Sequence, residues 1–314
     1  MTVTLGLLGY AAAVAVLAPR LLTGTWMYRS PRLGLAALHA AGLSVLTSVL
    51  LAGITCVATP GRIQACLAAL TGHPTAVMPP AVIAGMAVPF LLLARLAYVA
   101  ARQTRRHRID RGRHGEILSL LGRHDPELGA TVIEAEEPTA YCVPGTGRIV
   151  ITSGTLRVLS PAHLDAVLAH ERAHLAGRHH LLVGWATILA TAFPQPPLFR
   201  ELRTMTAELV ELLADDAAAR SAHRNGLADA LGALAVARST DRIATGGLEL
   251  GLAVTGGRVL ARVQRLLDPP PPLSMAGRVG GAGAAVSVIA LPALLVGIPA
   301  VLAAGLAACP LIFG

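Results

Sequence analysis

The residues best suited to chemistry form the run His170-Glu171-Arg172-Ala173-His174, which has the pattern H-E-x-x-H. In an α-helix, residues four apart lie one turn apart on the same face, so both histidines can present an imidazole nitrogen to one metal ion. Glu171 lies about 100° around the helix from His170, within reach of a water molecule on that ion. Zinc fits best, because it accepts imidazole and carboxylate ligands at about 2.0–2.2 Å and prefers four ligands. The pattern predicts a hydrolytic zinc site.

The sequence around this run favours a helix. Ser160-Pro161 is a good start, with serine as the N-cap and proline at the first helical position, and Gly177 is suited to the end. Leucine and valine recur at helical spacing between them and predict a buried stripe. The members of that stripe are Leu164, Val167, Leu168 and Leu175. The alternative is a helix whose two histidines bind nothing.

A hydrolytic zinc site needs a third protein ligand, and the sequence offers two candidates. Glu211 and Asp215 are four apart and share a helix face; Glu211 would bind the metal, and Asp215 would accept a hydrogen bond from the far nitrogen of a ligand histidine. The second candidate is His180, because residues 170–180 also fit H-E-x-x-H-x-x-G-x-x-H, in which Gly177 turns the chain. Without a metal, these residues would be an acidic surface patch and two histidines at a helix end.

The composition indicates a membrane protein. Hydrophobic residues make up 54% of the chain and charged residues 14%, which is too apolar for an ordinary soluble protein. We predict a mainly α-helical fold with four transmembrane helices, at about 3–19, 34–58, 81–100 and 284–308. A signal peptide would need a positive segment before its apolar run, and none precedes Arg20, so we expect the first helix to be retained.

The arginines next to these segments predict the orientation. The successive sides carry three, one and six arginines, so the positive-inside rule places both termini outside and the region between the third and fourth spans in the cytoplasm. The net charge of +8 therefore reflects topology, and we expect a lipid bilayer and no direct nucleic acid as partner. Cys56 and Cys66 lie near one loop, as a disulfide or as two thiols.

The chain divides into a membrane region at 1–100, an inserted domain at 101–280, and a last span with a short tail at 281–314. Within the inserted domain, we predict a helix over 101–128 and a small sheet over 131–158, where β-rich runs are broken by proline and glycine. Residues 181–193 are apolar but too short to span fully, so they form a buried helix or dip into the membrane. Residues 200–240 form one long helix or two.

Three stretches together resemble the BlaR/MecR-type family of integral membrane zinc peptidases, which are gluzincins. They are V-I-T-S-G-T-L-R-V-L-S (150–160), L-D-A-V-L-A-H-E-R-A-H (164–174) and E-L-L-A-D-D-A-A-A (211–219). The resemblance implies an inserted α+β gluzincin-type zinc peptidase domain. In it His170, His174 and Glu211 would bind zinc, Glu171 would be the catalytic base, and Asp215 would support a ligand histidine.

The resemblance implies a membrane-embedded zinc-dependent endopeptidase that cleaves a protein at the cytoplasmic face, with a DNA-binding transcriptional repressor as a candidate substrate. Six residues follow the last span, so we do not expect the penicillin-binding sensor domain of the antibiotic-sensing members. One alternative is an HtpX-like quality-control protease of membrane proteins, since that group shares both zinc motifs but places its spans differently. A non-enzymatic receptor or scaffold with structural zinc is another.

Catalysis would also need a group that stabilises the negative charge on the substrate carbonyl oxygen. Tyr141, His223 and Arg224 are candidates from their positions alone. The strands around 139–152 directly precede the zinc helix and could pair with an extended substrate as an added edge strand.

Overall fold

The structure is a computed structural model of the chain and describes residues 2–22, 24–58, 80–244 and 250–308. Its contacts divide the chain into two compact units. The first, here the helical unit, comprises Met1–Ala101, Ala186–Met205 and Leu273–Gly314. The second, the sheet unit, comprises Arg102–Trp185 and Thr206–Pro272. Cys66 lies outside the described residues, so a disulfide with Cys56 and two separate thiols both stay predictions.

Four helices in the described part of the chain are long and apolar enough to cross a membrane. They are α1 (Thr2–Leu21), α3 (Pro31–Val57), α4 (Pro80–Leu121) and α11 (Met275–Ala308), and the short α2 (Trp26–Arg29) precedes α3. Helix α3 packs against both α1 and α11. Gly53 and Gly85 allow α3 and α4 to approach closely, since a Cβ at either would overlap the other helix. These helices confirm the predicted mainly helical, multi-pass membrane protein.

The helical unit also contains Ala186–Met205, which the predicted boundaries place in the inserted domain. This segment includes the end of α7 (His179–Ala192) and the start of α8 (Pro197–Ser221). Its apolar side chains pack with those of α1 and α3 in one buried cluster that includes Leu189, Phe199 and Leu202. The backbone carbonyl of Ala192 accepts a hydrogen bond from Arg95 Nε at 2.5 Å. Residues 186–205 therefore belong to the helical unit, because their apolar side chains are buried in the same cluster as those of α1 and α3.

The sheet unit contains a four-stranded sheet in the order β1-β2-β4-β3. The strands are β1 (Gly122–Asp125), β2 (Ala130–Ile133), β3 (Ala140–Val143) and β4 (Arg148–Thr152). The pairs β1/β2 and β3/β4 are antiparallel, and β2/β4 is parallel.

The predicted helix over 101–128 is wrong at its end, because α4 stops at Leu121 and residues 122–125 form β1. Gly122 allows the change of direction, since a Cβ there would overlap Leu118 O and the Thr131 side chain. Asp125 Oδ1 then accepts hydrogen bonds from the backbone of Glu127 and Leu128 and forms the turn into β2. The predicted sheet over 131–158 is also too long, since Ser153–Val158 forms helix α5.

The H-E-x-x-H run lies on α6 (Pro161–Ala176), as the sequence predicts. The Ser160 side chain accepts a hydrogen bond from His163 N, which confirms the N-cap. Leu164, Val167 and Leu168 are buried against strand β4 and helix α9 (Arg224–Ala244). This apolar face fixes the rotation of α6 and leaves its histidines facing α8 and α10 (Leu250–Leu267).

Candidate metal centre

Two helices bring three ligand atoms to one point. On α6, His170 Nε2 lies 3.1 Å from His174 Nε2. Glu211 on α8 completes the group, with Oε2 3.5 Å from His170 Nε2 and Oε1 3.5 Å from His174 Nε2. Among the described residues, these three form the cluster whose donor atoms all lie within 4.8 Å of one another.

The spacing of these atoms fits a metal ion. Four ligands placed tetrahedrally about zinc at about 2.0–2.2 Å are separated from each other by about 3.3–3.6 Å. The observed separations of 3.1, 3.5 and 3.5 Å lie at or close to that range. Two imidazole nitrogens 3.1 Å apart cannot both carry a proton. A cation between His170, His174 and Glu211 would satisfy both nitrogens and the carboxylate.

Asp215 lies beside the far nitrogen of His170, as its four-residue spacing from Glu211 predicts. Its Oδ1 is 3.0 Å from His170 Nδ1, and its side chain is 1% exposed. Within the described residues, that buried nitrogen makes no well-aligned hydrogen bond, so a small ring rotation would improve the contact. The carboxylate is therefore in place to accept a hydrogen bond from Nδ1–H when Nε2 faces a metal.

Arg262 on α10 joins both carboxylates, and sequence reasoning missed it. Its Nη2 and Nε lie 2.7 and 2.8 Å from the two oxygens of Asp215. Its Nη1 lies 3.0 Å from Glu211 Oε2, and its Nη2 lies 3.4 Å from His170 Nε2. The guanidinium thus holds Glu211 and Asp215 at fixed positions around His170. A neighbouring pair, Arg265 with Asp216, joins the same two helices.

These contacts shift the pKa values of the cluster. Burial lowers the pKa of His170, but its contacts with Asp215 and Glu211 outweigh burial and raise it to about 9. Burial raises the pKa of Glu211, but its contacts with His170 and His174 and the charge of Arg262 hold it well below its usual range. The pKa of Asp215 is lowered in the same way, against burial, chiefly by Arg262. Both carboxylates are therefore ionised at neutral pH and attract a cation.

His180, the other candidate ligand, is not part of the cluster among the described residues. Gly177 also does not turn the chain in the predicted way, since its φ of −76° is helical. Arg178, with φ of 48°, makes the turn and starts α7 at His179. His179 Nδ1 lies 3.0 Å from His174 Nδ1. Burial, together with the electrostatic effect of the neighbouring His174 ring, lowers the pKa of His179 to about 4.

A cavity of about 360 Å³ opens onto the cluster. Glu171, which is 9% exposed, lines it together with the two histidines and Glu211. Helix α9 supplies an apolar wall, and β3 supplies another side. The apolar wall comprises Leu227, Leu231, Leu234 and Ala235, and the β3 side comprises Ala140, Tyr141 and Cys142. The cavity can hold an apolar side chain next to the metal-binding atoms.

The structure distinguishes the three candidates for stabilising the carbonyl oxygen. Tyr141 lines the cavity, and its hydroxyl is 2.7 Å from His114 Nε2. Of the described residues, His223 and Arg224 are not among those that line it. Cys142 next to Tyr141 also faces the cavity, and burial and the negative charge of Glu171 raise the pKa of its thiol to about 11. That thiol is therefore protonated at neutral pH.

The chain was compared with protein-family models and with curated proteins, and one family model matches it. Residues 105–270, more than half of the chain, match peptidase family M48. Protease HtpX homolog 1 of Streptomyces coelicolor is 35% identical over 80 residues, which cover 24% of this chain and 26% of that protein. Protease HtpX homolog 2 of Methanosarcina mazei is 33% identical over 85 residues, 25% of this chain and 28% of that protein.

A third relative is the chloroplastic plastoglobule-localized metallopeptidase 48 of Arabidopsis thaliana, which is 31% identical over 103 residues. That match covers 31% of this chain and 29% of the relative. The chain thus spans less than a third of the length of these curated relatives. No solved structure gives a significant match.

Proposed function

The chain belongs to peptidase family M48, and we propose that it is a membrane-embedded, zinc-dependent endopeptidase that cleaves a protein substrate at the cytoplasmic face. The observation that carries this proposal is the cluster of His170, His174 and Glu211, with Glu171 beside it on the cavity wall. A ligand glutamate on a second helix after H-E-x-x-H is the gluzincin arrangement, which the resemblance to BlaR/MecR-type peptidases also implies.

In this proposal His170, His174 and Glu211 hold the zinc ion. Zinc bound there would lower the pKa of a water molecule to about 7 and polarise the peptide carbonyl. Glu171 accepts the proton of the attacking water on its carboxylate and then delivers it to the leaving amine. Asp215 keeps the proton of His170 on Nδ1, so that Nε2 offers its lone pair. Tyr141 borders the cavity, but its hydroxyl contacts His114 Nε2 and its ring packs with Leu118 and Val150, whereas Cys142 of the same strand packs on the α6 side. We therefore do not assign its hydroxyl to the substrate carbonyl oxygen.

The substrate would bind along β3. Among the described strands, β3 pairs only with β4, so its other edge is open to an extended peptide. Three residues of β3 line the cavity, which would place such a peptide beside Glu171. The apolar wall from α9 would favour an apolar side chain near the cleaved bond. A peptide whose backbone amides are methylated loses pairing with β3 and should no longer be cleaved.

Two substrate classes fit this site. The resemblance to BlaR/MecR-type peptidases favours one cytoplasmic DNA-binding repressor, whereas similarity to proteins named HtpX homologues favours a quality-control protease of membrane proteins. Cells that express the wild type or Glu171→Gln can be compared by labelling new protein N-termini. Wild-type-dependent cleavage of one repressor supports the first class, and cleavage of many membrane proteins supports the second.

The activity itself is tested on the purified full chain in detergent. We expect one zinc per chain and cleavage of an unfolded protein such as casein, with loss of cleavage after chelation and recovery when zinc is restored. A non-enzymatic scaffold with structural zinc would hold the metal and cleave nothing. Stoichiometric zinc without turnover on any protein offered would therefore favour the scaffold.

A further inference from the structure

Each ligand histidine has a different partner on its far side. His170 Nδ1 faces the Asp215 carboxylate at 3.0 Å, whereas His174 Nδ1 faces another imidazole, with His179 Nδ1 also at 3.0 Å. The rings of His174 and His179 meet edge to face, with centroids 4.9 Å apart and an interplanar angle of 86°. His179 is 7% exposed. Among the described residues, this buried ring makes its hydrogen-bonding contact with the far nitrogen of His174.

The backbone after α6 is built to bring His179 back to His174. Residues five apart on a continuous helix lie about 140° apart, so His179 would point away if α6 simply continued. The left-handed conformation of Arg178, with φ of 48°, breaks the helix between them. A Cβ on Gly177 would overlap His179 Nε2 and Cδ2. The glycine in H-x-x-G therefore makes room for the His179 ring.

The direction of the contact excludes His179 as a ligand of the same ion. His174 Nε2 is the atom that faces His170 and Glu211, and His179 contacts the opposite nitrogen of that ring. When Nε2 of His174 offers its lone pair to a metal, its proton must sit on Nδ1. His179 Nδ1 is then an acceptor, and the proton of His179 sits on Nε2.

We propose that His179 is a positioning residue that accepts the hydrogen bond from His174 Nδ1 and so fixes the tautomer and orientation of this ligand histidine. The inference rests on the proposed metal site and adds the residue that orients one of its ligands. Gly177 and Arg178 belong to the same device, because they allow and direct the placement of the ring.

The test measures zinc affinity by competition with a chelator, using the full chain in detergent. His179→Leu removes the acceptor at similar volume and should weaken zinc binding by about 10- to 100-fold, as loss of such partners does elsewhere. His179→Asn restores an oxygen acceptor near the position of Nδ1 and should recover most of that affinity. His180→Leu is the matched control, one residue along the same helix, and should bind zinc as the wild type does.

Two further measurements separate positioning from folding. Gly177→Ala removes no polar group from the chain but displaces the His179 ring, so it should weaken zinc binding as His179→Leu does. The visible absorption of the cobalt-substituted protein should change in His179→Leu and Gly177→Ala and return in His179→Asn. If His179→Leu does not fold, the zinc affinities of Gly177→Ala and His179→Asn provide the test. The inference predicts weak binding in the first variant and nearly wild-type binding in the second.

Wild-type zinc affinity in His179→Leu would overturn the inference, as would a His179→Asn variant as weak as His179→Leu. A wild-type chain that binds no zinc would overturn the metal site itself and this inference with it. If the wild type binds zinc and the His179 variants bind it with the same affinity, the metal site is supported and only the positioning role of His179 is excluded.

Discussion

Arg262 and Asp215 form a two-pronged ion pair, with Nη2 2.7 Å from Oδ1 and Nε 2.8 Å from Oδ2. The Asp215 side chain is 1% exposed and that of Arg262 16%, so both charges are almost out of water. The pair ties α10 to α8 directly behind His170. Removing one partner of such a pair leaves the other charge buried and uncompensated.

Replacing Arg262 by methionine should therefore destabilise the sheet unit. Methionine keeps much of the side-chain volume but leaves the Asp215 carboxylate without its strongest partner and with His170 as its remaining charged contact. The cost in the free energy of unfolding should reach at most about 3–5 kcal/mol, the range for a buried charge that loses its partner. The measurement is thermal unfolding of the metal-free protein in detergent, where a clear fall in Tm is expected.

The neighbouring pair provides a matched control. Arg265 contacts Asp216 at 2.7 Å between the same two helices, but Asp216 is 28% exposed and can be hydrated when its partner is lost. Arg265→Met should therefore lower Tm less than Arg262→Met does. An equal fall in Tm in the two variants would mean that the burial of Asp215 does not determine how much stability is lost.

The sequence predicts the site correctly where the residues involved are four apart on the same helix. The H-E-x-x-H run and the four-residue spacing of Glu211 and Asp215 set which side chains share a face, and the structure brings these faces together. Ser160 as N-cap follows from purely local hydrogen bonding. Such features depend on neighbours a turn away, and this is why a single sequence predicts them.

The roles of Arg262 and His179 could not be predicted from local helical spacing. Arg262 lies 47 residues after Asp215, and its contact depends on how α10 packs on α8. The signal that exists is a match of charges, since Asp215-Asp216 faces Arg262 and Arg265, but many other arginines offer the same charge. His179 is five residues after His174, a spacing that would put the two side chains on different faces of a continuous helix. The left-handed conformation of Arg178 breaks the helix and brings the His179 ring back to His174. The β1 strand was missed for the same reason, because its partner β2 defines it.

Glu171→Gln should separate metal binding from catalysis. Glu171 is not part of the three-residue cluster, so the variant should keep one zinc per chain. It loses the carboxylate that we propose accepts and returns the proton, so kcat should fall by about 10²- to 10⁴-fold. Zinc content by atomic emission and the cleavage rate of a quenched peptide are the two measurements. An active Glu171→Gln enzyme would remove Glu171 from the mechanism.

Glu211→Ala and His180→Ala should distinguish the two candidate sets of ligands. Glu211 oxygens lie 3.5 Å from both ligand nitrogens, so its loss should abolish stoichiometric zinc. His180→Ala should retain zinc, because His180 is not in the cluster among the described residues. Both proteins are purified at the same pH and assayed for metal per chain. The opposite pattern would assign the third ligand to His180.

Zinc binding should become tighter as pH rises from 7 to about 9. Contacts with Asp215 and Glu211 outweigh the opposing effect of burial and raise the pKa of His170 to about 9, so the metal-free protein carries a proton there at neutral pH. Zinc needs the neutral imidazole and must displace that proton, so the affinity should increase about tenfold per pH unit and then level off. Chelator competition, corrected for the chelator's own protonation, gives the curve.

A matched variant tests the cause of this pH dependence. Asp215→Asn removes the carboxylate that contributes most to raising the pKa of His170, so the pH at which the affinity levels off should move down towards the ordinary histidine value. His179, whose pKa is lowered to about 4, is already neutral and releases no proton over this range. An affinity that does not change between pH 7 and 9 in the wild type would show that His170 is neutral before the metal arrives, and the electrostatic coupling between His170 and Asp215 would then be weaker than the 3.0 Å contact implies.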